Sequence, residues 1–231
     1  MLRKLLAALL LTALGCAPAP SAAAVPTYSP YATEQTNRIY NLMFCDDVTA
    51  FLAAPGKTPT SWQSTLSTPS DIPALQALAA DRKQEGRIRY LAYQQLRRGG
   101  HPVLAKQLLG IIVEMPQDKG LDTLAAFAEG GVRYINQSGK MCFIEGGPPS
   151  PQLEALFITA QPLVDAIGPW DKARRGPPDR GQVRMTFLVS DGLYFVEGPA
   201  SQVQKERMPA AVLAATLPLL QTVMAATSSQ K

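Results

Sequence analysis

Between residues 108 and 145 the chain returns on itself too quickly for anything but hairpins. Apolar segments at 108–115, 121–128, 132–136 and 141–145 are separated only by 117–120, by Gly130-Gly131 and by 137–140. A parallel return needs a crossover of roughly a dozen residues or more, so four strands joined this way form an antiparallel meander. The first segment is apolar on both faces, as a central strand is. Residues 183–189 and 193–197 flank Asp191-Gly192, the strongest hairpin signal in the chain. Six strands, mostly antiparallel, are the expected sheet.

Helical patterns surround these strands. Ile39, Leu42 and Met43 recur at helical spacing within 33–44, and Asp71 is placed to cap a helix with Leu75, Leu78 and Ala79 on its core face. Gly86 marks a break before 87–98, where Ile88, Leu91, Ala92 and Leu96 share a side, and Gly99-Gly100-His101-Pro102 is a stop signal. Residues 55–68, rich in Pro, Thr and Ser, read as loop. Ser150-Pro151 opens a helix whose stripe runs from Leu153 to Ile167, with Pro162 as a kink. A last helix spans 210–225. Residues 210–226 carry no charge, but Thr216, Pro218, Gln221 and Thr222 argue for a helix buried in the fold rather than a membrane span. The expected fold is α+β, with the N-terminal helices packed against the sheet. The stretches 131–146 and 182–198 follow the same order of strand, turn, strand, Glu, Gly and helix, and suggest two similar ββα units.

The first residues set the compartment. Arg3 and Lys4 precede an apolar run of Leu and Ala at 5–14, the pattern of an export signal too short to span a bilayer. Ala13-Leu14-Gly15-Cys16 resembles a lipobox, which makes 1–15 a lipoprotein signal and Cys16 the lipidated residue; cleavage after Ala24 is the alternative. Residues 16–32, Ala-, Pro- and Ser-rich and uncharged, form a tether, and 33–231 form one globular domain. The expected location is the periplasm, held to a membrane through Cys16, or soluble there if ordinary cleavage prevails.

Charge and cysteines narrow the partners. Loss of Arg3 and Lys4 lowers the formal charge from +4 to +2, which gives no electrostatic case for nucleic acid. Cys45 and Cys142 remain as an even pair. In an oxidising compartment they are expected to bond, closing a loop that constrains the unfolded chain by about 4 kcal/mol; two buried free thiols are the alternative.

Arg38-Ile39-Tyr40-Asn41-Leu42-Met43-Phe44-Cys45-Asp46-Asp47, the stretch Gly131-Val132-Arg133-Tyr134-Ile135-Asn136-Gln137-Ser138-Gly139-Lys140, and Phe187-Leu188-Val189-Ser190-Asp191-Gly192-Leu193-Tyr194-Phe195 resemble a family of exported bacterial proteins with no established function. So does Ile167-Gly168-Pro169-Trp170-Asp171-Lys172. The resemblance implies export and no particular activity.

No nucleophile elbow, phosphate loop or dinucleotide fingerprint is present in the sequence, so no catalytic residue, cofactor or metal set is assigned. The single histidine, His101, reads as part of a helix stop. Asp46 and Asp47 could supply a carboxylate or hold a hard cation, although Asp47 is also placed to cap residues 48–53. Glu145 and Glu197, at matching places in the two ββα units, could face each other. The stretch 169–181 sets Trp170 among Lys172, Arg174 and Arg175, a combination suited to an anionic ligand or an acidic partner surface. Three readings follow. The chain is a non-catalytic envelope lipoprotein that binds a protein partner, a small-ligand binder using the 169–181 loop, or a carboxylate-based hydrolase.

Export has a direct check. A reporter enzyme active only in the periplasm, fused after Thr33, should be active, and Cys16→Ser should release the protein from membranes. Retention of the full-length fusion in the cytoplasm would count against the signal.

Overall fold

The computed structural model describes residues 25–228. The export signal, Cys16 and the tether up to residue 24 lie outside the described residues. The strands are β1 (Leu108–Gln117), β2 (Gly120–Phe127), β3 (Val132–Ile135), β4 (Met141–Ile144), β5 (Gln182–Val189) and β6 (Gly192–Pro199). They form one sheet in the order β4-β3-β2-β1-β5-β6, and every pairing is antiparallel. The fold is α+β, as expected, with the sheet antiparallel throughout rather than mixed.

Helices cover both faces. α1 (Glu34–Leu42), α2 (Ser61–Leu66), α3 (Ile72–Ala80) and α4 (Gly86–Arg98) lie on one side, where Tyr40, Leu75 and Leu91 meet Leu109, Ile112, Ala125 and Phe127. α5 (Pro151–Ala166) and α7 (Arg207–Ser228) cover the other, where Leu156, Leu163, Val212 and Leu219 meet Ile111, Val113, Met185 and Phe187. Alternate residues of β1 therefore feed two separate cores, which is why the strand reads as apolar throughout. A bulge between Leu108 and Gly110 resets that alternation at the start of the strand.

Local chemistry explains most boundaries. Thr33 caps α1, Asp71 caps α3 and Ser150 caps α5, each accepting a backbone N–H of the first turn. Gly86 separates α3 from α4 because α4 starts against β1, where any Cβ would overlap the Leu109 carbonyl. His101 N–H closes the end of α4 by donating to the Leu96 carbonyl, with Gly100 at φ +73, so the lone histidine belongs to a helix cap. One segment departs from the sequence expectation. α2 lies inside 55–68, where composition suggests loop, and a capping box between Thr60 and Gln63 starts it. The short α6 (Ala200–Val203) is also absent from the sequence reading.

α7 is buried on one face only. Val212, Thr216, Leu219 and Val223 are inside, whereas Met208, Leu217 and Met224 are 41%, 50% and 50% exposed. Its segment Arg207–Ala225 is long and apolar enough to cross a membrane by length and composition, yet it packs along α5. The expected buried helix thus keeps an apolar outer face.

Two expectations are corrected by this topology. Glu145 follows β4 and Glu197 lies in β6, at opposite edges of the sheet, so they do not face each other. The two ββα units do flank the β1–β2 hairpin at either side, with α5 and α7 on the same face. Cys45 and Cys142 are not bonded. Cys45 is packed in the layer of α1–α4, and Cys142, paired across from Tyr134, belongs to the core beneath α5 and α7. The sheet stands between the two thiols, and burial pushes the Cys45 thiol well above its usual range. Neither cysteine of the mature domain should react with an alkylating reagent in the native state, and both should react in unreduced, denatured protein. Recovery of a linked pair of cysteine peptides would contradict the separation.

Candidate functional site

A row of charged and polar side chains crosses the sheet on the face of α1–α4. Glu114 on β1 stands opposite Arg184 on β5, Arg184 opposite Glu197 on β6, and Glu114 opposite Thr123 on β2. Glu114 is fully buried. Its carboxylate accepts the Tyr40 hydroxyl at 2.6 Å and lies 3.5 Å from Arg184 Nη1. Arg184 Nε donates to Glu197 at 2.6 Å, and its Nη1 also reaches the Arg175 carbonyl at 3.3 Å. Tyr31 joins the row through Thr123, 2.8 Å between hydroxyls. Burial raises the Glu114 carboxyl above the ordinary glutamate value, with Arg184 and the Tyr40 hydroxyl opposing that shift.

Next to this row the N-terminal segment is strapped to α1. Asn37 accepts the Tyr31 N–H and donates to the Tyr31 carbonyl, and Asn41, one turn on, does the same for Tyr28. Two side-chain amides at i and i+4 thus imitate a strand partner for the segment.

The loop after α5 completes the arrangement. It leaves the α5 face, passes the edge of β6, where Trp170 N–H donates to the Leu193 carbonyl at 2.7 Å, and enters the opposite face. Gly192 makes this approach possible, because a Cβ there would lie 2.8 Å from Pro169 Cβ. Trp170 then packs edge-on against Phe195 with 4.8 Å between centroids, and its ring faces both Lys172 and Arg175. Arg174 goes inward. It is 6% exposed, its Nε donates to Asp46 at 2.6 Å, and its Nη2 reaches Asn41 at 2.9 Å. The rings of Phe44 and Tyr28 lie 4.0 and 4.8 Å from the guanidinium carbon. The Tyr28 hydroxyl donates to the Arg174 carbonyl at 2.7 Å.

Among the described residues, clefts open on this half of the molecule and at its far edge. One of about 540 Å³ lies between the strap and α1, and one of about 550 Å³ lies beside Glu85 and Glu129. The third, about 410 Å³, lies beneath the loop and is lined by Pro26, Gln94, Arg97, Trp170, Lys172 and Asp191 among others. Arg174 also lines it. Among the described residues, three buried side-chain atoms lack a hydrogen-bond partner: Gln94 Oε1, Arg174 Nη1 and Asp191 Oδ1. All three belong to residues of this one cleft. Buried polar atoms are almost always paired, and each unpaired one costs about 1–3 kcal/mol, so their concentration here singles the cleft out.

The structure distributes the sequence candidates unevenly. Trp170, Lys172 and Arg174 line the cleft, whereas Arg175 turns away toward Glu197, 3.8 Å distant. Asp46 is engaged by Arg174, and Asp47 caps a single turn at Val48–Phe51 by accepting Thr49 N–H at 2.8 Å. The two aspartates therefore do not act as a carboxylate pair. Gln94, Asp191, Glu114 and Arg184 were not legible as site residues. The one available signal was an acid or a base interrupting an otherwise apolar strand, at Glu114 and Arg184. No family model matches the chain, and no curated protein matches it; its function rests on geometry.

The buried pair makes a stability prediction. Arg184→Met should cost about 3–5 kcal/mol by stranding the Glu114 carboxylate, whereas Glu114→Gln, which keeps an acceptor for Tyr40, should cost far less, and the double variant should recover most of the loss. A raised carboxyl binds its proton more tightly in the folded state, so its stabilising contribution is full at acid pH and declines as pH rises. Urea unfolding of Arg184→Met should accordingly show stability falling more steeply than in the parent as pH rises above the ordinary glutamate range. Equal costs for the two single variants would overturn the assignment.

Proposed function

We propose that this chain is an exported, envelope-held binding protein that takes a small ligand in the cleft beneath the 169–175 loop. The carrying observation is that every unpaired buried side-chain polar atom among the described residues belongs to a residue that lines that cleft. Its volume falls within the range of small-molecule sites, roughly 300–1,000 Å³. An aromatic ring and two exposed cations, Arg98 and Lys172, stand at its rim. The lipoprotein signal supports a place for the site. Val25 lines the cleft, and the nine residues that lead to it from Cys16 extend at most about 30 Å. Lipidation of Cys16 would therefore keep the cleft close to the membrane surface.

A second reading is a protein partner docked on α7, favoured by the outward side chains Met208, Leu217 and Met224. On α5, which packs against α7, Ile158 is 74% exposed and adds another outward apolar side chain.

One experiment separates the two readings. Purified mature protein is equilibrated with a small-molecule extract of the envelope fraction, washed, and its retained compounds identified by mass spectrometry. The parent should hold a species that Trp170→Ala and Gln94→Leu do not, and that species at a hundredfold its Kd should stabilise the fold by about 2.7 kcal/mol. A protein that retains nothing, but co-purifies with an envelope protein lost on Leu217→Glu, would replace the ligand reading with the partner reading.

A further inference from the structure

Resting on that reading, the pattern of unpaired groups points to the ligand's chemistry, and we infer that the cleft takes a small zwitterion carrying a primary ammonium and an anionic oxygen group. The unpaired groups are of opposite kinds. Arg174 Nη1 can only donate, and it sits on a guanidinium whose other nitrogens are occupied by Asp46 and Asn41. It calls for a carboxylate or phosphate oxygen. Gln94 Oε1 and Asp191 Oδ1 can only accept. The other Asp191 oxygen accepts the Tyr194 hydroxyl at 3.1 Å, and among the described residues no ion pair engages the carboxylate.

Single-charge ligands fit this set poorly. An inorganic anion would satisfy Arg174 while leaving both acceptors unpaired and meeting the Asp191 charge. A simple amine would satisfy Asp191 and Gln94 while entering a cleft that already holds Arg97, Arg98 and Lys172. A molecule with both groups carries the partner that each of the three lacks, and small rotations of these cleft-lining side chains would bring them to it. The excess of basic residues at the rim favours one whose negative charge equals or exceeds its positive charge. Free amino acids and the phosphoethanolamine headgroup of a phospholipid share this chemistry.

Calorimetric titration of the full mature protein decides it. L-Glutamate and phosphoethanolamine are compared with glutarate, inorganic phosphate and ethanolamine, each of which lacks one of the two groups. At least one zwitterion should bind tenfold or more tightly than its single-charge counterparts. A preference for glutamate indicates a free amino acid as the source, and a preference for phosphoethanolamine indicates a lipid headgroup. Asp191→Asn, which keeps an acceptor for Tyr194 and removes the charge that an anion meets, should erase the advantage of the ammonium group, with weaker zwitterion binding and glutarate or phosphate binding that is tighter than in the parent. Gln94→Leu should weaken the zwitterion severalfold, with circular dichroism confirming that both variants fold. If glutarate or phosphate binds as tightly as the zwitterions, and Gln94→Leu and Trp170→Ala still weaken that binding, the cleft is a ligand site but the zwitterion inference fails. If none of the five probes binds, both the inference and the ligand reading it rests on fall.

Discussion

A carboxylate placed where water cannot reach it organises one half of this molecule. Glu114 is fully buried in a central strand, and a charge in that position must be answered from within the protein. Arg184 answers it from β5, Tyr40 from α1, and Glu197 holds Arg184 from β6. Each answer fixes an element. A one-residue slip of β5 against β1 would turn Arg184 to the opposite face and strand the carboxylate, so the pair specifies register as well as charge balance. The Tyr40 hydroxyl likewise sets where α1 lies across the sheet.

Arg174 repeats the logic one layer further out. Its guanidinium joins the loop to Asp46 and Asn41 and sits among the rings of Phe44 and Tyr28. The strap held by Asn37 and Asn41 closes over it through Tyr28. The residues that look most like ligand contacts in the sequence therefore divide between two tasks. Arg174 is largely structural, with one nitrogen left unpaired, while Trp170 and Lys172 remain at the cleft mouth. Such a division suits a binding site, since a rigid floor lowers the ordering cost that a ligand would otherwise meet.

The second face of the sheet carries a different feature. α5 and α7 complete its core, yet α7 presents apolar side chains on both sides. Residues 210–226 carry no charge, so the outer face, where Gln221 and Thr222 are exposed, lacks the charged residues that a solvent-facing helix normally displays. The ligand cleft and this helix lie on opposite faces, so the two proposed modes of association do not compete for the same surface.

Much of the architecture was legible from local chemistry. Short turns made the meander antiparallel, Asp191-Gly192 made the second hairpin, and Asp71, Ser150 and Gly100 marked helix ends, because each of these acts within a few residues of itself. The α2 helix escaped notice because Pro, Thr and Ser masked a capping box six residues into an apparent loop. The cleft was only partly legible: aromatic and basic residues at 170–175 drew attention to the loop, but nothing local distinguished the buried Arg174 from the exposed Lys172. The sequence alone determined the strands, their turns and the caps at Asp71 and Ser150. Only the tertiary structure decided that Cys45 and Cys142 lie on opposite sides of a sheet, that Glu145 and Glu197 sit at its two edges, and that Gln94, Arg174 and Asp191 line one cleft. The physical reason is that strand order and helix placement are settled by long-range burial of charge and apolar surface, and sequence separation carries no record of which distant partner supplies it.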